Sequence, residues 1–209
     1  RRRDRPEIWG LRGSYTPVIP RDMRLEVEER VLADGSVRTP VDIDAVSKAV
    51  ADLLAAGAEA LAIMFVNSYA NPENERAAYE AAKAVWPNEH ITVSSDILPE
   101  LREFERASTT ALNATLQPVI GRYLQNLEAS LNDAGFEGDI LIVQSNGGVM
   151  SVDTAREIPV RTALSGPAAG VIAAAHIAEA AGFPNIVTCD MGGTSFDVAL
   201  VADGESALA

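Results

Sequence analysis

The readable pattern begins at residues 24–32, where Leu25, Val27 and Val31 alternate weakly with polar neighbours and Asp34-Gly35 supplies a turn. That predicts a short strand closed by the turn. Val46, Val50, Leu53 and Leu54 follow at helical spacing, which predicts a helix over residues 43–56 with Asp42 as its cap and Gly57 as its stop. Residues 60–66 are apolar without interruption, as in a strand covered on both faces. Asn71-Pro72 has the chemistry of a helix start, with Asn as cap and Pro at the first helical position, and this helix is expected to reach about Trp86. Residues 91–95 predict the next strand. Helix, strand, helix and strand in succession predict a parallel α/β layer.

From residue 99 to 134 the period turns helical, with Leu112, Leu116, Ile120, Leu124, Leu127 and Leu131 recurring every three or four residues. Pro118 is expected to kink or split this helix, and Gly135 to end it. Residues 140–143 predict a strand that runs into Ser145-Asn146-Gly147-Gly148. A short strand near Val160 is expected before Ser165-Gly166-Pro167-Ala168-Ala169-Gly170, which starts an Ala-rich helix lasting to Gly182. Pro167 fits its first helical position, with Ser165 or Gly166 as cap. Residues 186–189 and 198–201 predict a final pair of strands. No internal repeat or low-complexity linker interrupts the chain, and the change of pattern near residues 106–112 marks the expected domain boundary.

Composition narrows the class. The 209 residues suffice for one large or two small domains. Aromatic residues make up only 5%, so the core must lean on Ala, Val, Leu and Ile. A net charge of −13 disfavours nucleic acid and anionic membrane as partners. The one cationic cluster, Arg1-Arg2-Arg3-Asp4-Arg5, reads as an exposed segment. Cys189 is the sole cysteine, so an internal disulfide is excluded and a reducing, cytoplasmic setting is expected. Its place in an apolar strand predicts a buried structural thiol. No apolar run is long enough to span a bilayer.

The densest chemistry lies in Asp190-Met191-Gly192-Gly193-Thr194-Ser195-Phe196-Asp197, between the two last strands. Glycines at 192 and 193 open backbone angles closed to other residues and allow a ligand to approach the main chain. Amides at the tip and the Thr194 and Ser195 hydroxyls are donors suited to phosphate oxygens. Asp190 and Asp197 are hard oxygen ligands, suited to Mg²⁺ carried by a nucleotide, directly or through water. Such a cation and the backbone amides supply a local positive field even in an acidic chain. Ser145, Asn146, Gly147 and Gly148 follow a predicted strand, where ligands of open α/β sheets collect, although a plain tight turn has the same pattern. The start of the helix at Gly166 offers free amides to an anion; equally, its small residues suit close packing on a sheet. Arg102 to Thr110 is dense in charge and hydroxyls, the composition of a solvated helix face. His90 and His176 lack a neighbouring ligand at metal spacing, and no nucleophile triad, zinc motif, Walker loop or dinucleotide fingerprint is present.

Taken in order, Glu29-Arg30, Asn67-Ser68-Tyr69-Ala70-Asn71-Pro72, Glu75-Arg76, the run from Pro99 to Thr110, Gln144-Ser145-Asn146-Gly147-Gly148, Leu164-Ser165-Gly166-Pro167-Ala168-Ala169-Gly170 and the Asp190 hairpin resemble the hydantoinase A / 5-oxoprolinase family. The hairpin itself resembles a phosphate loop of the actin, Hsp70 and sugar-kinase ATPases. The resemblance implies an α/β fold made of parts of two ribonuclease-H-like lobes with mixed or parallel sheets and a long kinked helix between them. It places residues 1–107 in the later part of the N-terminal lobe and 108–209 at the start of the second. It implies ATP and Mg²⁺ as cofactors and a cyclic amide as substrate, hydrolysed after phosphoryl activation of its oxygen. Gly192, Gly193, Thr194 and Ser195 then hold phosphate, with Ser145 to Gly148 and Gly166 beside them. Asp190 holds the metal, and Asp190 and Asp197 serve catalysis. A first phosphate loop, the adenosine site and a hydantoinase B-type subunit are implied elsewhere, so this chain alone is expected to turn over little. An acetone-carboxylase-like ATP-binding subunit and a reactivating or regulatory ATPase share the resemblance. Asn146 stands where many family members carry Asp.

Overall fold

A computed structural model describes residues 17–206 of the chain. The cationic cluster at residues 1–5 lies outside them. The chain divides into two compact units, Arg1–Pro118 and Val119–Ala209.

In the first unit, β1 (Arg30–Val31) and β2 (Val37–Thr39) form an antiparallel ribbon around the Asp34-Gly35 turn. Helix α1 (Ile43–Ala55) starts as predicted, the Asp42 carboxylate accepting from the Ala45 amide at 3.0 Å. Strand β3 (Leu61–Ile63), helix α2 (Glu73–Lys83) and strand β4 (Ile91–Val93) follow, and β3 pairs with β4 in parallel. Pro72, not Asn71, takes the cap position of α2, and the Asn71 side chain accepts from the Glu73 amide at 3.0 Å just before the helix. The core of this unit gathers Val41, Val46, Val50, Leu61, Ile63, Ala78, Ala82, Trp86 and Ile91. The strands are shorter than the apolar runs, because residues 64–66 leave the ladder and Ser94 begins a one-turn helix, α3 (Ser94–Ile97).

Helix α4 (Glu103–Asp133) is continuous through Pro118, which therefore does not split it. Up to Pro118 its buried face is not the leucine stripe. Arg106, Thr110, Asn113 and Gln117 are buried there with Ala111 and Ala114, while Leu112 is exposed. Asn113 donates to Thr92 Oγ1, Thr92 donates to Gln117 Oε1, both at 3.1 Å, and Thr110 donates to the Arg106 carbonyl at 2.7 Å, while Arg106 Nε is buried without a hydrogen-bond partner. Hydrogen-bonded polar groups can occupy a core position; unpaired ones cannot without a cost. Of the run expected to be solvated, Arg102 and Glu103 are exposed and Arg102 pairs with Glu105, but Arg106 and Thr110 belong to a buried polar seam.

In the second unit, β5 (Leu141–Val143) and β6 (Val149–Ser151) form an antiparallel hairpin, and α5 (Val152–Glu157) leads into a 3₁₀ turn, Pro159–Thr162, where a strand was expected. Pro159 favours that turn by fixing its own φ and lacking an amide donor. Leu124, Met150, Val152 and Ala155 form the core. Helix α6 (Ser165–Ala180) packs against β7 (Ile186–Met191) and β8 (Phe196–Ala202), which pair antiparallel, with β9 (Glu205–Ser206) beside β8. The described residues form an α/β fold with one parallel and several antiparallel pairings and a long helix.

Candidate functional site

Strand pairing settles which residues of the last hairpin share a face. Ile186 lies opposite Val201, Thr188 opposite Ala199 and Asp190 opposite Asp197. Side chains alternate along a strand, so these pairs form one face, and Val187, Cys189, Met191, Phe196, Val198 and Leu200 form the other. The second face is apolar and open; Cys189 is exposed on it rather than buried, because no described element covers that side. The first face borders an open cleft of about 840 Å³, whose lining includes Asp190, Asp197, Ser145, Leu164 and Pro167. The fold thus brings the hairpin carboxylates, Ser145 and the start of α6 to one cleft, while Asn146, Gly147 and Gly148 are not among its lining residues.

Two carboxylates directly opposite on neighbouring strands repel each other unless a cation sits between them. The Asp190 carboxylate makes no hydrogen bond or ion pair among the described residues, and the Asp197 carboxylate accepts only from Ser195 Oγ, at 3.3 Å. The donor set suits Mg²⁺, which binds one or two carboxylates and completes its shell with water and phosphate oxygens. Among the described residues no three His, Cys, Asp or Glu side chains cluster to hold a metal ion.

The hairpin tip, residues 192–195, projects beyond the two Asp residues. The Gly192 amide donates to the Ser195 carbonyl at 3.0 Å. The Gly193, Thr194 and Ser195 amides have no partner among the described residues. Neither glycine takes a left-handed φ, contrary to the conformational freedom expected of them. A Cβ at Gly193 meets nothing within 4 Å, and one at Gly192 meets only the Ser195 carbonyl at 4.0 Å. Backbone geometry and internal packing therefore leave the double glycine unexplained; close approach by an outside group is the remaining physical reason for it.

The 145–148 turn closes the β5–β6 hairpin. Gly147 needs its φ of +84°, and a Cβ there falls 2.0 Å from Ile172 Cδ1. Its amide donates to the Gln144 carbonyl, and the Gly148 amide to Asn146 Oδ1. Both glycine amides are thus used within the turn, and what it presents outward is side chain. The Ser145 amide and hydroxyl both donate to the Arg161 carbonyl at 2.7 Å, leaving the Ser145 hydroxyl oxygen free to accept. Gly166 is exposed and absent from the cleft lining. No Cβ contact within 4 Å explains it, so close packing does not account for it. Leu164, neither Ser165 nor Gly166, occupies the cap position of α6, with φ 61° and no side-chain hydrogen bond. A left-handed leucine costs about 1–2 kcal/mol, and here that strain borders the cleft.

The first unit explains the other family-like residues. Glu75 is fully buried and accepts from the Phe65 amide at 2.7 Å, Ser94 Oγ at 2.6 Å and the Ser95 amide at 2.9 Å. Arg106, equally buried, donates to the Phe65 carbonyl at 2.7 Å and the Glu100 carbonyl at 3.0 Å. Asn74 joins Val41, Thr39 and Glu29. Asn67 and Asn71 hold the carbonyls of Val31 and Gly35, both at 2.9 Å. These side chains fix irregular backbone around β3. No local pattern marks them as buried, because their partners lie far off in sequence, as with Asn67 and Val31 or Arg106 and Phe65.

An α/β unit whose last hairpin sets an acidic pair and a double-glycine tip beside a helix start is the architecture of the actin, Hsp70 and sugar-kinase ATPase superfamily. Within it, the hydantoinase/oxoprolinase N-terminal region matches residues 1–86 and the hydantoinase/oxoprolinase profile matches residues 106–209. The chain belongs to the hydantoinase/oxoprolinase family. It is 35% identical over 196 residues to the caprolactamase subunit alpha of Pseudomonas jessenii, covering 92% of this chain and 28% of that one. The crystal structure of that ATP-dependent caprolactamase superposes with a TM-score of 0.80 at 36% identity, over 87% of this chain and 26% of its own. The acetone carboxylase beta subunit of Xanthobacter autotrophicus is 35% identical over 90% of this chain and 27% of its own. A nucleotide-free acetone carboxylase structure gives a TM-score of 0.75 at 34% identity, over 92% of this chain and 28% of that one. The 5-oxoprolinase of Saccharomyces cerevisiae is 35% identical over 73% of this chain and 12% of its own. The chain thus spans less than a third of the length of these relatives. Among the described residues no helix is long and apolar enough to cross a membrane.

Proposed function

We propose that this chain carries part of the nucleotide-phosphate site of an ATP-dependent enzyme that opens a cyclic amide of the hydantoin or 5-oxoproline type. One observation carries the reading: the Gly193, Thr194 and Ser195 amides are unpartnered on a hairpin whose two Asp residues face each other at the edge of an open cleft. In this reading those amides and the Thr194 hydroxyl donate to phosphate oxygens, joined by the Ser195 hydroxyl when it turns from Asp197, and Gly192 leaves room for them. Asp190 would hold Mg²⁺, directly or through water, with Asp197 supporting the loop or the metal. ATP, when bound, supplies the phosphoryl group that activates the amide oxygen and leaves the ring carbonyl carbon open to water. The chain's own residues orient the phosphates and offset their charge, the dominant contributions to phosphoryl transfer.

Residues 1–107 are assigned to the N-terminal lobe and 108–209 to the second lobe of a protein whose first phosphate loop and adenosine site lie elsewhere. A hydantoinase B-type subunit completes the assembly in this reading, supported by the subunit status of the caprolactamase and acetone carboxylase relatives. The single cysteine and acidic charge suit the cytoplasm.

The likeness to an acetone carboxylase subunit favours a second reading, an ATP-binding subunit that activates a ketone. The test supplies the full-length protein and its partner with ATP, Mg²⁺ and hydantoin, 5-oxoproline, caprolactam, or acetone with bicarbonate. Ring opening matched by phosphate release supports the first reading. Carboxylation of acetone selects the second. ATP turnover with none of them transformed defeats both and points to a regulatory ATPase.

A further inference from the structure

Ser145 belongs to two hollows. Besides the phosphate cleft it lines a pocket of about 360 Å³ shared with Gln144, Asn146 and Arg161. Beyond Val119 the only arginines are Arg122, Arg156 and Arg161, and the segment contains no lysine. Arg156 is committed to Glu128 and Asp153. Arg161 differs. Its backbone is fixed, since the Ser145 amide and hydroxyl both donate to its carbonyl and its own amide donates to Ile158 in the 3₁₀ turn. Its guanidinium makes no hydrogen bond or ion pair among the described residues. The other residues lining the pocket are neutral, so no carboxylate within it competes for the guanidinium. Asn146 Oδ1 is used by the Gly148 amide, which leaves its NH₂ as a second donor.

We propose that Arg161, with Gln144, Ser145 and Asn146, forms an oxyanion subsite beside the phosphate cleft, which holds either a carboxylate on the cyclic-amide substrate or the phosphoryl group in transfer. The guanidinium matches both planar carboxylate and phosphate geometry through paired donors. Arg161 is exposed beside the turn that borders the cleft, so its guanidinium is open to an anion arriving from outside. The subsite rests on the reading of the neighbouring cleft as a phosphate site, and it adds a criterion for selecting the ring.

Calorimetric titration of the full-length protein tests this with 5-oxoproline, with 2-pyrrolidinone (the same ring lacking the carboxylate) and with pyrophosphate. ADP binding serves as the control for the phosphate reading. If the anion is the substrate carboxylate, wild type prefers 5-oxoproline to 2-pyrrolidinone. Arg161→Gln then removes the preference, a loss of roughly 10- to 100-fold, while ADP and pyrophosphate affinities hold. If the anion is the phosphoryl group, Arg161→Gln weakens pyrophosphate by a similar factor and leaves ring selectivity unchanged. Arg161→Lys keeps part of the affinity in either case and guards against a folding artefact. Arg161→Gln with all affinities unchanged overturns the subsite. Wild type that fails to bind ADP defeats the phosphate reading, and the ring comparison then judges Arg161 by itself.

Discussion

Glu75 offers the sharpest test of what holds the first unit together. Its side chain is fully buried and serves three donors, the Phe65 amide at 2.7 Å, Ser94 Oγ at 2.6 Å and the Ser95 amide at 2.9 Å. Glu75→Ala strands two main-chain amides with no alternative acceptor. Ser94 keeps a second partner in Ser68 Oγ at 3.3 Å, so its loss is partial. An unmet buried donor costs about 1–3 kcal/mol, so the two amides alone predict a loss of roughly 2–6 kcal/mol. Glu75→Gln retains an oxygen for Phe65 and Ser94 but turns an NH₂ toward the Ser95 amide, one donor against another, and costs about 1–3 kcal/mol. Glu80→Gln, exposed on the same helix, is the control and stays within about 0.5 kcal/mol of wild type. Urea unfolding with a common slope measures all three. Glu75→Ala within about 1 kcal/mol of wild type refutes the claim that this carboxylate organises the backbone around β3.

Gly147→Ala forces a side chain into a left-handed position and toward Ile172, so the second unit loses about 1–2 kcal/mol, read as a lower urea midpoint; an unchanged midpoint contradicts the turn geometry. The Ser36 hydroxyl and amide both donate to Asp34, and these hydrogen bonds, the hydroxyl's first, hold its carboxyl below the ordinary value. Whatever the turn gains from this charge is present above the ordinary carboxylate pKa and lost as pH falls through the lowered one. Ser36→Ala therefore moves the Asp34 titration upward in a carboxyl-carbon NMR experiment, and an unmoved titration rules out the hydrogen-bond cause.

The sequence carried the regular parts of the fold because caps and periodicity act locally. Asp42 caps α1, Asn71-Pro72 opens α2, Gly135 follows the long helix, and residues 186–189 and 198–201 become the closing hairpin. What failed depended on partners distant in sequence. The polar seam of α4 exists because Thr92, on β4, meets Asn113 and Gln117, and no window along the helix encodes that meeting. Cys189 looked buried from its apolar neighbours, but exposure of its face depends on what covers the sheet. The strand expected near Val160 yielded to Pro159. At the site, the double glycine and its acidic flanks were legible. The free Arg161 was not, since its isolation from carboxylates is a property of the folded surface.

The most direct measurement of the central claim is nucleotide affinity of full-length Gly193→Val. A side chain at Gly193 meets no protein atom within 4 Å of its Cβ and strains no left-handed backbone, so folding is expected to be unaffected. Branched bulk at the tip crowds a group that approaches the Gly193, Thr194 and Ser195 amides closely. A phosphate-binding tip predicts unchanged thermal stability and ADP affinity lowered by roughly 10-fold or more, the equivalent of losing one charge-assisted hydrogen bond. Wild-type affinity in a folded Gly193→Val protein contradicts it.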